Sequence, residues 1–230
     1  MVVMRTRPAI GSSSSVRLVG SCSHRSSEGA PVIAGLLLFP GAGSDAAHPS
    51  LIAVERAVQP LAVARVDFPY RLAGRRIPDR APVLVRAIHA AVDDVCRRWS
   101  CDPENLVIGG RSMGGRMCSM AVAGFDGDDR VTQPASPALR VGGLVCIGYP
   151  LHPPRQPQKL RVVHLPHIAA PSLFISGTRD DFATPDELRR HLAQVPAAVQ
   201  VRWVDGGRHD LRGSDDVVAG FVADWISTLK

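Results

Sequence analysis

The residues best suited to chemistry in this chain surround a serine that lies between two glycines. Residues 106–109 form a short apolar segment typical of a buried strand, and a helical pattern begins directly after the serine. Between them, residues 110–114 read G-R-S-M-G, which matches the G-x-S-x-G motif of a sharp strand-to-helix turn that presents a nucleophilic serine. Glycine suits both ends, because a Cβ there would stop the helix from passing close to the strand. Ser112 is therefore predicted to be a nucleophile; the alternative is a structural turn in which Ser112 only caps the helix.

A serine hydroxyl needs a base to take its proton and a third group to orient that base. In proteins with this turn the acid precedes the histidine along the chain, and each is expected just past a strand. Asp180 follows an apolar segment at 171–176 and is assigned as the acid, with the neighbouring Asp181 as the alternative. His209 lies in a glycine-bearing loop after a second segment, at 199–204, and is assigned as the base.

Acyl transfer also needs N–H donors for a developing oxyanion. Residues 40–44 (P-G-A-G-S) form a glycine-rich loop between a predicted strand and a predicted helix. The phosphate-binding patterns G-x-x-x-x-G-K-[ST] and G-x-G-x-x-G are absent, so an oxyanion loop is favoured over a phosphate cradle. Ala42 is the preferred donor and Gly43 the alternative, while Met113 supplies a second donor at the start of its helix. A tight turn without function is the remaining interpretation of the loop.

Strands and helices are predicted to alternate along most of the chain. The strands are predicted at 32–39, 61–68, 106–109, 141–147, 171–176 and 199–204, and the helices at 49–58, 81–99, 113–123, 185–195 and 215–229. This alternation predicts an α/β fold with a mostly parallel central sheet and helices on both faces. Functional groups gather at the carboxyl ends of such strands. Residues 151–170 are rich in proline and are predicted to be an irregular excursion over the strand ends, which leaves only a minimal cap.

The length and charge of the chain narrow its class. A chain of 230 residues suits one domain, predicted over residues 31–230. Residues 1–30 are polar and rich in serine, and we interpret them as an N-terminal segment that is partly disordered or holds an early strand near 16–19. With no apolar signal segment and no run of membrane-spanning length, a cytoplasmic protein without membrane contact is expected. The net charge of +6 comes from scattered arginines, which argues against nucleic-acid binding.

Cysteine and histidine patterns indicate neither disulfides nor metal. The 5 cysteines have no framework spacing, so reduced thiols are predicted. The pair His164-x-x-His167 has no cysteine or carboxylate nearby to complete a ligand set, and no metal site is predicted. The serine mechanism needs no cofactor, and none is predicted. The oligomeric state is not predicted.

Five segments taken together resemble the alpha/beta-hydrolases. They are F-P-G-A-G at 39–43, F-P-Y-R at 68–71, G-G-R-S-M-G-G-R at 109–116, G-Y-P-L-H-P-P at 148–154 and S-G-T-R-D at 176–180. More narrowly, they resemble the dienelactone-hydrolase-like branch, which includes bacterial proteins and eukaryotic testis-expressed and chromatin-complex homologues. The resemblance implies an alpha/beta-hydrolase fold with Ser112, Asp180 and His209 as the triad, and it supplies no substrate. In two departures, Pro40 stands where many hydrolases have histidine, and serine replaces the cysteine nucleophile of dienelactone hydrolases, which argues against that activity.

Together these observations predict a serine hydrolase that cleaves a small carboxylic ester or lactone through an acyl-enzyme on the nucleophilic serine. The residues predicted to contact this substrate are Gly43, Arg111, Tyr149 and His152. Arg111 is expected either to attract an anionic substrate or to make a structural ion pair. The alternatives are a non-catalytic binding or scaffold protein that retains the fold, and an acyltransferase or peptidase that uses the same triad.

Overall fold

The computed structural model describes residues 17–19, 32–127 and 133–229. Within these residues one sheet contains the strands β1 (Arg17–Val19), β2 (Gly35–Phe39), β3 (Ala62–Arg65), β4 (Leu106–Arg111), β5 (Gly143–Ile147), β6 (Ser172–Gly177) and β7 (Val199–Val204). The order across the sheet is β1-β3-β2-β4-β5-β6-β7. Strands β2 to β7 are parallel, and β1 pairs antiparallel with β3 at one edge. The predicted α/β fold with a mostly parallel sheet is confirmed.

The first strand falls where the sequence suggested an early strand. It lies at residues 17–19, close to the segment considered near 16–19. The rest of the predicted N-terminal segment lies outside the described residues.

Helices cover both faces of the sheet. They are α1 (Pro49–Ala57), α2 (Pro69–Leu72), α3 (Ala81–Trp99), α4 (Met113–Val122), α5 (Pro185–Leu192) and α6 (Asp215–Ile226). Buried side chains of α3, α4 and α5 share one core, and those of α1 and α6 share the core on the opposite face. Sequence reasoning missed only α2 among these helices, because a single turn is too short to show a helical period. In the described part of the chain, no helix has both the length and the apolar character that a membrane span requires.

The proline-rich excursion at 151–170 packs differently from the prediction. Leu151, Leu165 and Ile168 are fully buried in the core that contains α4, and His164 bonds to Ser119 on that helix. The excursion therefore lies against one face of the molecule and does not simply arch over the strand ends. The apolar side chains explain this, because burying each one is worth about 1.5–3 kcal/mol.

The described cysteines form no disulfide bond. Cys96 and Cys101 are half-buried, whereas Cys118 and Cys146 are buried. This agrees with the predicted reduced state; Cys22 lies outside the described residues.

The close contact between β4 and β5 can be tested at Gly109. A Cβ on this glycine would lie 2.1 Å from the carbonyl oxygen of Val145, so Gly109→Ala must push the two strands apart. We expect it to lower the free energy of unfolding by about 1–3 kcal/mol. The matched control is Gly220→Ala on α6, where a Cβ meets no atom within 4 Å. We expect Gly220→Ala to raise the free energy of unfolding by about 0.5–1 kcal/mol, because alanine favours the helix over glycine. Urea unfolding of both variants checks this, and equal effects would contradict it.

Candidate active site

The turn between β4 and α4 holds Ser112 in an unusual backbone conformation. Its φ is 48° and its ψ is −114°, a region that costs a residue with a side chain about 1–3 kcal/mol. Two backbone bonds keep it there: its N–H donates to Ile147 (2.7 Å), and its carbonyl accepts from Arg116 (3.0 Å). The Ser112 side chain makes no capping bond to the helix. Its hydroxyl is therefore left free to contact the neighbouring loops.

Steric contacts explain why glycine occupies the positions on either side of this serine. A Cβ on Gly110 would lie 2.1 Å from the carbonyl oxygen of Phe39, and one on Gly114 would lie 2.4 Å from the same atom. Both approaches are closer than a real Cβ can make. Glycine at 110 therefore lets β4 lie close to the end of β2, and glycine at 114 lets the first turn of α4 pass against the same strand end, which is the close approach of the helix that the motif predicted.

A hydrogen-bonded chain runs from Ser112 to Asp180 through His209. Ser112 Oγ lies 2.8 Å from His209 Nε2, and His209 Nδ1 lies 3.0 and 2.9 Å from the two carboxylate oxygens of Asp180. Because an ionised carboxylate only accepts, Nδ1 carries the proton and Nε2 is left to accept from the serine hydroxyl. The three side chains come from the loops after β4, β6 and β7. The structure thus brings together the three residues that the sequence placed at the carboxyl edge of the sheet.

Asp180 is held by more than the histidine. Its side chain is fully buried, it accepts a bond from the N–H of Phe182 (2.8 Å), and the hydroxyl of Ser176 lies 3.5 Å away. The adjacent Asp181, the alternative acid, is exposed to solvent. Of the two carboxylates, only Asp180 contacts His209 in this structure.

The glycine-rich loop lies beside the serine, as expected of an oxyanion loop. A Cβ on Gly41 would be 3.5 Å from Ser112 Cβ, so this loop and the serine are in close contact. The Tyr70 hydroxyl donates to the Ala42 carbonyl (2.9 Å), which fixes the peptide plane between Ala42 and Gly43. On the other side, Met113 is the first residue of α4, and N–H groups in a first helical turn have no partner within the helix. The assignment of these N–H groups as oxyanion donors stays a prediction.

Comparison with known proteins places this geometry in a family. A family model described as "Alpha/beta hydrolase domain" matches residues 33–218. The chain belongs to the alpha/beta-hydrolase family. The family prediction from sequence is therefore confirmed.

Solved structures of other alpha/beta-hydrolases have the same fold at low identity. A putative alpha/beta hydrolase from Agrobacterium tumefaciens is similar with a TM-score of 0.68 and 16% identity, over 92% of this chain and 89% of that one. An alpha-beta serine hydrolase homologue from Coxiella burnetii has a TM-score of 0.67 and 14% identity, over 91% and 89% of the two chains. A dienelactone hydrolase from Anabaena variabilis has a TM-score of 0.65 and 21% identity, over 93% and 91%. The last of these represents the branch that the sequence resembles.

Four residues were predicted to contact substrate, and two of them are at the surface beside Ser112. Gly43 is exposed in the glycine-rich loop. Arg111 is half-buried next to the serine and donates to the carbonyl oxygen of Asp210 (2.8 Å). Burial lowers the pKa of Arg111, and the nearby carboxylates of Asp210, Asp215 and Asp180 oppose that shift. No carboxylate of the described residues lies within 4.0 Å of this guanidinium, so the three carboxylates act on it from a distance.

The other two are buried in this alpha/beta-hydrolase. Tyr149 is 1% exposed, and its hydroxyl lies 2.9 Å from His164 Nε2 and 3.3 Å from Ser119 Oγ. His152 is 4% exposed, and its Nδ1 lies within hydrogen-bond distance of the Pro153 carbonyl oxygen. Its backbone N–H donates to the carbonyl oxygen of Phe182. As folded, neither side chain is at the open surface. The packing of the 151–170 excursion covers them, which the sequence did not reveal.

Two further residues, Phe182 and His48, lie near the site. The ring of Phe182 stacks on that of His209, with centroids 3.8 Å apart and planes at 23°. His48 caps α1, because its Nδ1 accepts from the N–H of Ser50. Burial and the charge of Arg111 lower the pKa of His48. Phe182 follows the predicted acid by only two positions, which is the one sequence signal that could have found it.

A second serine–histidine pair lies away from this site. Ser119 Oγ is 2.9 Å from His164 Nε2, and both residues are fully buried. His164 Nδ1 has no hydrogen-bond partner among the described residues. Burial, aided by the charges of Arg116 and His167, lowers the pKa of His164 to about 3. In residues 32–127 and 133–229 no cluster of three histidine, cysteine or acidic side chains could hold a metal ion.

The buried His164 should make the free energy of unfolding depend on pH in the acid range. The unfolded chain protonates this histidine near its ordinary pKa of 6.5, whereas the folded chain does so only near about 3. The stability it contributes is thus complete above about pH 6.5 and is lost as the pH falls towards about 3. From this group we expect a loss of about 2 kcal/mol between pH 6.5 and pH 5. Urea unfolding at both pH values should show a smaller loss for His164→Gln, and an unchanged loss would contradict this account.

Proposed function

We propose that this alpha/beta-hydrolase cleaves a small carboxylic ester or lactone through an acyl-enzyme on Ser112. The observation that carries the proposal is the continuous hydrogen-bonded chain from Ser112 through His209 to the buried carboxylate of Asp180. A hydroxyl at a strained turn, a base within 2.8 Å and a carboxylate that orients the base are the parts that acyl transfer requires.

The geometry supports a two-step reaction. Ser112 Oγ bonds to the substrate carbonyl carbon while its proton moves to His209 Nε2, which gives a tetrahedral oxyanion and an imidazolium. The N–H groups of Met113 and Ala42, or Gly43 in place of the latter, stabilise the oxyanion, and one such donor is typically worth about 10²–10³ in rate. The imidazolium then gives its proton to the leaving alcohol. Water then attacks the acyl-enzyme while His209 takes its proton. The bond to Ser112 Oγ breaks, His209 returns the proton to Ser112, and the carboxylic acid is released.

The surroundings favour a small or flexible substrate. The 151–170 excursion packs against α4, so it leaves the serine in a half-buried position without a large covering lid of its own. The guanidinium of Arg111 beside the serine could attract an acyl group that carries a negative charge, although the carboxylates of Asp210, Asp215 and Asp180 act on the same guanidinium. The solved folds similar to this one include Est1E from Butyrivibrio proteoclasticus with ferulic acid bound, which makes esters of aromatic acids a reasonable class to assay.

The nucleophile can be tested with a fluorophosphonate probe. Such a probe reacts with a serine only when a base activates it, so the wild type should be labelled once per chain, on the peptide that contains Ser112. Ser112→Ala should abolish labelling, while its melting temperature stays close to that of the wild type. Ester hydrolysis should fall by at least about 10³-fold in the same variant. Equal labelling of the two proteins would contradict Ser112 as the nucleophile, and equal background rates of hydrolysis would favour a scaffold that retains the fold.

The choice of acid can be tested with a matched pair of neighbours. Asp180→Asn removes the acceptor that sets the tautomer of His209, and the expected loss in kcat is about 10³–10⁴-fold. Asp181→Asn makes the same chemical change one residue away, at an exposed position, and should leave kcat within about twofold. Steady-state kinetics on one p-nitrophenyl ester compare them. A larger loss in the Asp181 variant would reverse the assignment.

A further inference from the structure

Phe182 makes three contacts near the site, two of them with the predicted base and acid. Its ring lies face to face with the ring of His209 at 3.8 Å. Its N–H donates to Asp180 Oδ1 (2.8 Å), and its carbonyl accepts from the N–H of His152 (3.2 Å). The backbone of Phe182 is therefore clamped from both sides, and the side chain is held over the imidazole.

The same carboxylate holds both rings. Asp180 Oδ1 accepts from Phe182 N–H and also lies 3.0 Å from His209 Nδ1. Just beyond, Thr184 and Glu187 form a capping box that fixes the start of α5. The bonds of the Phe182 backbone to Asp180 and His152 fix the position from which the phenyl ring extends over the imidazole. Because hydrogen bonds hold the backbone of Phe182 in place, the stack differs from a chance surface contact.

The stack has an electrostatic consequence. The face of a phenyl ring carries partial negative charge, so it attracts a cation placed over it. In the reaction proposed above, His209 becomes such a cation when it takes the proton of Ser112. Desolvation strengthens the attraction, and the His209 side chain is only 17% exposed. An interaction that appears only on the way to the transition state raises kcat and leaves substrate binding unchanged.

We propose that Phe182 is a positioning residue that stabilises the protonated form of His209 through the face of its ring. The inference rests on the proposed function of Ser112 and His209, and adds a fourth residue to that site. Simple apolar cover is the competing explanation of the same contact. The two explanations predict different effects of replacing Phe182 with a side chain of similar size that has no π face. Apolar cover alone predicts no change in kcat, whereas stabilisation of the imidazolium predicts a loss.

The experiment compares Phe182→Leu with Phe182→Tyr in the full chain, on one p-nitrophenyl ester and with a fluorophosphonate probe. Leucine keeps apolar cover but loses the π face, so kcat and the labelling rate should fall by about 5–30-fold with KM within about twofold. Tyrosine keeps the ring, and kcat should stay within about threefold of the wild type. The control is Phe221→Leu, the same change on α6, where the ring lies near Arg202. It should leave kcat unchanged.

A second series keeps the shape of the side chain. Replacing Phe182 with mono-, di- and trifluorinated phenylalanine withdraws charge from the ring face, so kcat should fall stepwise with each fluorine. A Phe182→Leu variant with wild-type kcat, a loss confined to KM, or no trend across the fluorinated series would each overturn the inference. If Ser112→Ala loses activity while the Phe182 variants keep it, this inference alone fails. If the wild type is neither labelled nor active, the proposed function fails with it.

Discussion

The site depends on one steric constraint, the close approach of α4 to the end of β2. Gly114 allows it, because a Cβ there would overlap the carbonyl oxygen of Phe39, and a Cβ on Gly110 of the neighbouring β4 would overlap the same atom. The price is the strained backbone of Ser112 at φ 48°, held by hydrogen bonds to Ile147 and Arg116. In return the hydroxyl leaves the plane of the sheet beside a helix N-terminus. The parallel strands then place the loops that carry His209 and Asp180 at the same edge.

Among the described residues, Ser112 with His209 and Ser119 with His164 are serine–histidine pairs at nearly equal distances, and their surroundings distinguish them. Ser112 meets His209 at 2.8 Å, and Ser119 meets His164 at 2.9 Å. His209 has a carboxylate on its second nitrogen and is partly exposed, whereas His164 has no partner there among the described residues and is fully buried. With its pKa lowered to about 3, His164 is a poor base near neutral pH. Distance alone therefore does not identify a nucleophile; the third group and access to solvent do.

Sequence reasoning worked where a local pattern has one physical cause. The glycine-flanked serine and the alternation of strands and helices located Ser112 and the sheet, because steric contact and hydrophobic period act over a few residues. The sequence left Asp181 open as an alternative to Asp180, because adjacent turn residues differ only in the direction of their side chains. In the structure, Asp180 is the one that contacts the N–H of Phe182 and the ring of His209. The burial of Tyr149 likewise comes from the excursion that packs against α4. Contacts between loops far apart in the chain, such as the ring of Phe182 on His209, leave no period or spacing to detect.

The central claim is that Ser112 carries the acyl group during turnover. The most direct measurement is rapid acid quenching of the protein mixed with p-nitrophenyl acetate, followed by mass spectrometry of the intact chain and of its peptides. The account predicts one acetyl group on the peptide that contains Ser112, formed before the steady state and lost on a longer delay. An active protein with no acetyl adduct, or with its adduct on another residue, would contradict it.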